Sequence, residues 1–461
     1  MINNLINLMP LPMRKYFQMS SKQRKHELQM TLWSMPLIYI AGSALIVILT
    51  IVLDLQLNIS RFVHPWLSAG GEATQTLVSA LIGGILTLSA FTLNSLLVVL
   101  TNFSDQFSPR MMFNFIADKT TQHLLGIFHG SFIYVLFIFL FLTNNENEYY
   151  SAIPVISVLL AALTIITFIF FINHASSWMQ VHNFTYSMKK TSKITIQESL
   201  KHEVEEHRSY EPGDLMRSQQ TSKEILTIKE SGYIQMINFK EMVEEAKKDN
   251  IIIQFYIKVG DFSLKNNRLF SYWGPGQNNV NSDKYLHMIE MGHKKTEIQD
   301  MKMGITKLSE VAVKAIGNSD PETALTTIHH IADLLLSIEE EISFTPYLQD
   351  DEKQTRMILQ SEDFEHYLHK GFGYIRNYAK HDYTMITELI VVLSMMSQSI
   401  SADKLNILWN FGSNTTDLIA KNFIFDLDRR YFLEKLYELA MFTGHEIDYV
   451  AAEKKLQQTK P

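Results

Sequence analysis

Thr76, Ala80, Gly83, Thr87, Ala90 and Asn94 recur at steps of three and four, so on a helix they form one stripe of small and polar side chains. Ser79 and Ser95 flank it, while Ile82, Ile85, Leu86, Leu96 and Leu97 take other faces. In a membrane such a stripe has two uses. It lets helix backbones approach closely and hydroxyls bond across an interface, or, repeated around an axis by several copies, it lines a watery path. The second use requires a homo-oligomer, because four helices of one chain enclose too little room for a wide conduit.

Other side chains that could do chemistry are sparse. His129 is a lone titratable residue in an apolar stretch, open to a proton or ligand role but equally to a neutral ring bonded to a nearby carbonyl or hydroxyl. Glu362, His366 and His369 stand at i, i+4 and i+7, a spacing that puts potential metal ligands on one helix face; a fourth ligand is missing, and a solvated face accounts for them as well. No P-loop, Gly-x-Ser-x-Gly elbow, Gly-x-Gly-x-x-Gly or His-Glu-x-x-His occurs, so no catalytic residue, cofactor or enzyme class is indicated. The absence of cysteine removes disulfides, thiol nucleophiles and thiolate metal sites.

These residues have to be positioned by two unlike halves. Leu32–Val52, Thr76–Leu100, Leu124–Leu142 and Ile153–Ile172 are apolar runs free of Asp, Glu, Lys and Arg, each near the roughly 20 residues that cross about 30 Å of hydrocarbon. They predict a four-helix transmembrane domain over 32–175 after an N-terminal segment 1–31, in which Ile2, Leu5, Ile6 and Met9 allow a short interfacial helix. Arg14, Lys15, Lys22, Arg24 and Lys25 before the first run, and Lys189, Lys190 and Lys193 after the fourth, put both termini on the cytoplasmic side. The 53–75 loop, with Asp54, Arg61 and Glu72, is then external, and the 101–123 loop internal. A bacterial inner membrane is the expected location. The missing membrane carboxylates count against proton- or sodium-coupled transport.

Between the second and third runs the chain reads Ser104-Asp105-Gln106-Phe107-Ser108-Pro109-Arg110, then Thr121-Gln122 and Leu125-Gly126-Ile127-Phe128. Downstream come Ser231-Gly232-Tyr233-Ile234-Gln235, Val259-Gly260-Asp261-Phe262 and Gly317-Asn318-Ser319-Asp320-Pro321-Glu322-Thr323-Ala324. Together these resemble a bacterial family of predicted membrane proteins, domain of unknown function 2254, with Ser319 in place of the family's asparagine. The resemblance implies four spans and a cytoplasmic domain, and implies no activity. Physically, Ser108-Pro109-Arg110 reads as a capped helix start beside the membrane, where Asp105, Ser108 and Arg110 would either anchor to headgroups or set ion preference at a pore mouth.

The second half is acidic: 31 Lys/Arg against 41 Asp/Glu follow residue 190, where ten stand against seven before it, and a net charge of −7 speaks against nucleic-acid binding. Residues 176–229 read as a linker or helical stalk and 230–275 as a small mixed α/β segment: strand Ser231–Asn238, helix Lys240–Asp249, strand Ile251–Ile257. Ile257–Phe262 followed by Leu269-Phe270 is similar to the hairpin of lipoyl-like domains, without the exposed lysine that would carry a cofactor. The helical period over 290–461 predicts helices near 296–316, 321–342, 352–379, 383–400, 402–421 and 428–450. The expected class is thus mainly α: a four-helix transmembrane domain, then a cytoplasmic α+β domain of a small β segment and a helical bundle. The expected function is a homo-oligomeric channel or pore around the second helix, with a non-conducting scaffold or sensor, or a small-molecule transporter, as alternatives. Its partners would be the bilayer, other copies of the chain, and ions or a small solute.

Overall fold

The computed structural model describes residues 33–57, 59–106, 118–143, 149–197, 204–212, 223–296, 299–360, 362–419 and 425–458, with residues 24, 28, 31, 115, 116 and 423 between them. They form two compact units, Met1–Gln180 and Val181–Pro461.

The first unit is built on four helices, α1 Ser34–Leu55, α2 Gly71–Gln106, α3 Lys119–Thr143 and α4 Ala152–Trp178. All four are long and apolar enough to cross a membrane; α2, α3 and α4 each contain one of the charge-free runs, and α1 begins two residues inside the first. Pro36 and Pro154 fall in first turns, where the amide they lack has no partner within the helix. Helix α3 packs against each of the other three. The middle is filled by Val47 from α1, Val78 and Ile85 from α2, and Tyr134, Val135 and Ile138 from α3. Large apolar residues such as Leu45, Ile48, Leu97 and Ile169 point outward, as a hydrocarbon solvent allows. At one end β1 Ala69–Gly70 pairs antiparallel with β2 Tyr149–Tyr150, so the loops after α1 and after α3 meet.

Asp54 corrects the sequence reading at that end. Rather than lying in an open loop, it is the penultimate residue of α1 and is buried. Its carboxylate accepts the amides of Ser151 (3.1 Å), Ala152 (2.8 Å) and Ile153 (2.9 Å), the orphan donors at the start of α4. One apolar run thus closes on another through a single charged cap.

The second unit opens with α5 Val181–Thr195, which buries Phe184, Thr185 and Met188 against α8 Met301–Gly317 and α9 Pro321–Glu341. The stretch expected to be a stalk therefore begins as part of a folded unit. A six-stranded sheet runs in the order β3 Arg208–Ser209, β10 Tyr347–Gln349, β11 Thr355–Ile358, β6 Ile252–Phe255, β8 Arg268–Trp273, β4 Glu224–Thr227. Its pairs are antiparallel except β11 with β6. A second sheet places β5 Gly232–Ile237 between β7 Phe262–Ser263 and β9 Ile289–Gly292. Because β7 and β8 join different sheets, the hairpin of the lipoyl-like reading does not form. Helix α6 Phe239–Lys248 lies between β5 and β6 as read, and α7 Ser282–Leu286 precedes β9.

Helices α10 Phe364–Tyr378, α11 Tyr383–Ser397, α12 Leu405–Ser413, α13 Thr416–Ile419, α14 Asp426–Thr443 and α15 Glu446–Gln458 complete the unit. The helix expected over 352–379 gives up its start to β11, whose Met357 and Ile358 find partners on β6. The helix expected over 428–450 breaks at Gly444, which takes the left-handed φ of 75° that ends helices and favours glycine. Asp320, Pro321 and Glu322 do start α9 as their types demand: the Asp320 side chain accepts the Thr323 amide and Pro321 takes the first turn.

Candidate functional site

Helix α2 turns Thr74, Val78, Ile85, Thr92, Leu96 and Val99 inward. The opposite face carries Thr76, Ser79, Ala80, Gly83, Thr87, Ala90 and Asn94, all exposed. The stripe therefore does not serve packing within the chain. A Cβ added at Gly83 or Gly84 meets nothing within 4 Å. The hydroxyls are satisfied locally, Thr76 donating to the Glu72 carbonyl at 2.9 Å and Thr87 to that of Gly83 at 2.8 Å. Asn94 differs. Its carboxamide has two donors and an acceptor that a helix cannot absorb, and no partner meets it among the described residues. It stands seven residues before Thr101, where the candidate span ends, so about 10 Å inside that end along the axis.

The other residues singled out in this unit are placed less suggestively. His129 Nδ1 lies 2.7 Å from the Leu125 carbonyl and its ring meets Trp33 edge-on at 6.3 Å, a local bond on its own helix. Asp105 falls in the last turn of α2, with its side chain outside the described residues; Ser108, Arg110 and the N-terminal segment expected to hold an interfacial helix lie outside them too. At the end of the unit away from β1, Asp118 accepts the Thr121 amide at 2.9 Å and pairs with His174 Nε2 at 2.9 Å. Burial alone would raise the Asp118 pKa, but the bonds from His174 and Thr121 outweigh it and hold the carboxyl below its usual value. Gln122 reaches from α3 to the carbonyls of Thr31 (3.2 Å) and Ile116 (3.1 Å) and receives Ser34 Oγ (3.3 Å). A side chain on Gly126 would strike the Tyr39 ring, while Leu125 and Phe128 are core. Thr121-Gln122-x-x-Leu125-Gly126-x-Phe128 is thus a packing and end-capping element.

In the second unit a cavity of about 100 Å³ opens between the sheets and α10. Glu362 sits on its wall, nine-tenths buried, with Lys302 Nζ at 3.0 Å and Lys258 Nζ at 3.1 Å on the same carboxylate oxygen. Burial pushes its pKa up, but the two ammonium groups outweigh this and keep it below the ordinary range. His366 Nε2 is 3.6 Å from that same oxygen, and His369 lies beside Gly373. Glu362 precedes α10 instead of sharing a face with both histidines, and two lysines hold the charge that a metal would need. Asp300 is buried, caps α8 through the Lys302 amide (3.0 Å) and lies against Gly260, whose φ of +88° and lack of a Cβ admit it. The Gly260 amide bonds the Ile234 carbonyl at 2.8 Å, joining the Val259-Gly260-Asp261 element to the Ser231–Gln235 element. Those two stretches, separate in sequence, are held together backbone to backbone. Reading the sequence found them as motifs but not as neighbours, since nothing local to either marks the other.

The chain matches the family described as predicted membrane protein (DUF2254) over residues 29–395, most of its length. It is 25% identical over 317 residues to uncharacterized proteins of Mycobacterium bovis and of two Mycobacterium tuberculosis strains, covering 64% of this chain and 58% of each relative. The match therefore spans little more than half of those relatives. No solved structure matches.

Proposed function

We propose, from the premise that this chain belongs to the DUF2254 family of predicted membrane proteins, that it works as a homo-oligomer whose α2 helices face a shared polar axis. The oligomer is a channel or pore for ions or small solutes, and the second unit serves as its cytoplasmic assembly or gating part. One observation carries the reading: Thr76, Gly83, Thr87, Ala90 and Asn94 line the outside of α2, away from the chain's own helices. Facing lipid, the Asn94 amide would cost its lost hydrogen bonds; facing water or another copy's Asn94, it would not. The filled centre of the four-helix unit supports an axis between chains in preference to one within a chain. With Lys and Arg before α1 and after α4, both termini belong on the cytoplasmic side of an inner membrane.

The test is conductance of purified protein in planar bilayers. Wild-type protein is expected to conduct, with Asn94→Leu and Thr87→Leu lowering or altering unit conductance. A folded oligomer that stays silent under voltage, tension and pH steps would overturn the pore and leave a scaffold.

A further inference from the structure

The segment that joins α1 to α2 turns outward the side chains that a loop in water hides. Phe62 is 84% exposed and Trp66 76%, the most exposed phenylalanine and tryptophan among the described residues. Leu55 at the end of α1 and Leu57 just past it extend the run of outward apolar residues that includes Leu45, Ile48 and Leu49. Charge is nearly absent. Between Asp54 and Glu72 the only formally charged residue is Arg61, and Asp54 itself is spent on the amides of α4. The backbone also suits a medium poor in water. Two short 3₁₀ turns, Ile59–Arg61 and Pro65–Leu67, let the amides of Phe62, Leu67 and Ser68 bond the carbonyls of Ile59 (3.0 Å), His64 (2.9 Å) and Pro65 (3.1 Å). The Leu57 amide bonds Val52 at 3.2 Å, and Pro65 has no amide to satisfy. The segment is tied down at its far end: Ser68 Oγ and Ser151 Oγ are 2.6 Å apart, and β1, which leads straight into Gly71 of α2, pairs with β2.

The bilayer is the occupant that these features fit. Helix α1, 22 residues long, rises about 33 Å, so its end lies close to the edge of roughly 30 Å of hydrocarbon and the residues that follow fall in the headgroup layer. Tryptophan and tyrosine favour that layer, and Tyr149 on β2, 63% exposed, stands at the same end. A single arginine type in an otherwise uncharged segment suits lipid phosphates. We propose that residues 55–67 form an interfacial anchor: they lie in the headgroup layer of the leaflet at that end, with Leu57, Phe62 and Trp66 set against the outer hydrocarbon. Through β1 the anchor fixes the depth at which α2 starts. It rests on the chain being a membrane protein and stands whether or not α2 lines a pore.

The test is fluorescence quenching of an NBD probe on single cysteines in the full-length protein, held in nanodiscs of equal parts phosphatidylcholine and phosphatidylglycerol, which leave both faces open to solvent. His64→Cys, exposed beside the anchoring side chains, spares them; Lys265→Cys, exposed in the second unit, reports water. Iodide is expected to quench the His64 probe at least threefold less than the Lys265 probe. A nitroxide on the lipid headgroup or upper acyl chain should quench the His64 probe more than one at mid-bilayer. Adding Phe62→Ser and Trp66→Ser together should raise iodide quenching at His64 at least twofold and leave Lys265 unchanged. Iodide quenching equal at the two probes places the segment in water, and quenching strongest from mid-bilayer places it in hydrocarbon. Shielding from iodide with no response to any lipid nitroxide places it under protein. Each of these overturns the anchor, as does a folded serine double variant whose probe stays as shielded as before; if that variant misfolds, the depth profile with Phe62 and Trp66 in place still decides.

Discussion

The two units solve the problem of buried polar groups in opposite ways. In the first, many buried polar side chains are short and neutral and turn back on their own helix: Thr50, Thr92, Thr164 and Thr167 each donate to the carbonyl four residues earlier. Its two well-anchored carboxylates, Asp54 and Asp118, both sit where helix amides lack partners. In the second unit full charges go inside and are paired across strands. Arg356 and Asp350 are both buried, with Nε 2.7 Å from the carboxylate and Nη1 3.1 Å from Asn250 Oδ1. The difference follows from the solvent. A helix surrounded by hydrocarbon has no water to compete with a local hydroxyl bond and cannot shed charge outward, whereas a mixed sheet-and-helix core tolerates ions when each finds its counterpart.

Breaking that pairing should have the largest effect. Asp350→Ala leaves Arg356 buried without its carboxylate and is expected to cost about 3–5 kcal/mol, seen as loss of the second unit's cooperative unfolding in denaturant. Asp54→Ala leaves three amides at the start of α4 without an acceptor and should cost about 3 kcal/mol on unfolding in mixed micelles, with Asp54→Asn recovering part through its remaining oxygen. Glycines sharpen the contrast within one unit. Gly126→Ala drives a methyl into Tyr39 and should destabilise by about 1–3 kcal/mol, whereas Gly83→Ala, which meets nothing in the chain, should leave the monomer unchanged. The smallest effect is a pH dependence in the second unit. Burial pushes the His330 pKa below 6.5, and its Nδ1 lies 3.1 Å from Thr185 Oγ1. The folded state therefore binds fewer protons than the unfolded one. Its contribution is complete above about pH 6.5 and shrinks as pH falls from there through the folded pKa. His330→Gln should flatten the stability profile between pH 7 and 5.

Much of the first unit was legible because membrane helices announce themselves by length and missing charge, and the four runs differ from the observed helices only at their ends. What escaped was Asp54: a charge three residues from Leu57 reads as loop, and its target amides lie 97 to 99 residues downstream. The stripe on α2 was legible as a pattern, but which way it faced depended on where α3 and α4 pack. In the second unit the Asp320-Pro321 start was local and readable, whereas the break at Gly444 was missed inside the helix expected over 428–450. Strand β11 was not, since Thr355–Ile358 becomes a strand through β6, a hundred residues earlier. The cavity draws on Arg208, Lys258, Lys302 and Glu362, four stretches whose meeting no periodicity encodes. Glu362 had a visible spacing to His366 and His369 that suggested a metal, and its lysine partners came from elsewhere.

The absence of native cysteine makes one measurement especially direct. Single cysteines introduced at Ala90, on the α2 stripe, and at Leu45, exposed on α1, are treated in native membranes with a short bifunctional thiol reagent. If α2 helices of several copies share an axis, Ala90→Cys gives covalent dimers in high yield and Leu45→Cys does not. Equal cross-linking at both positions, or none at Ala90 while the residue is alkylated freely by a monofunctional reagent, would contradict the shared axis.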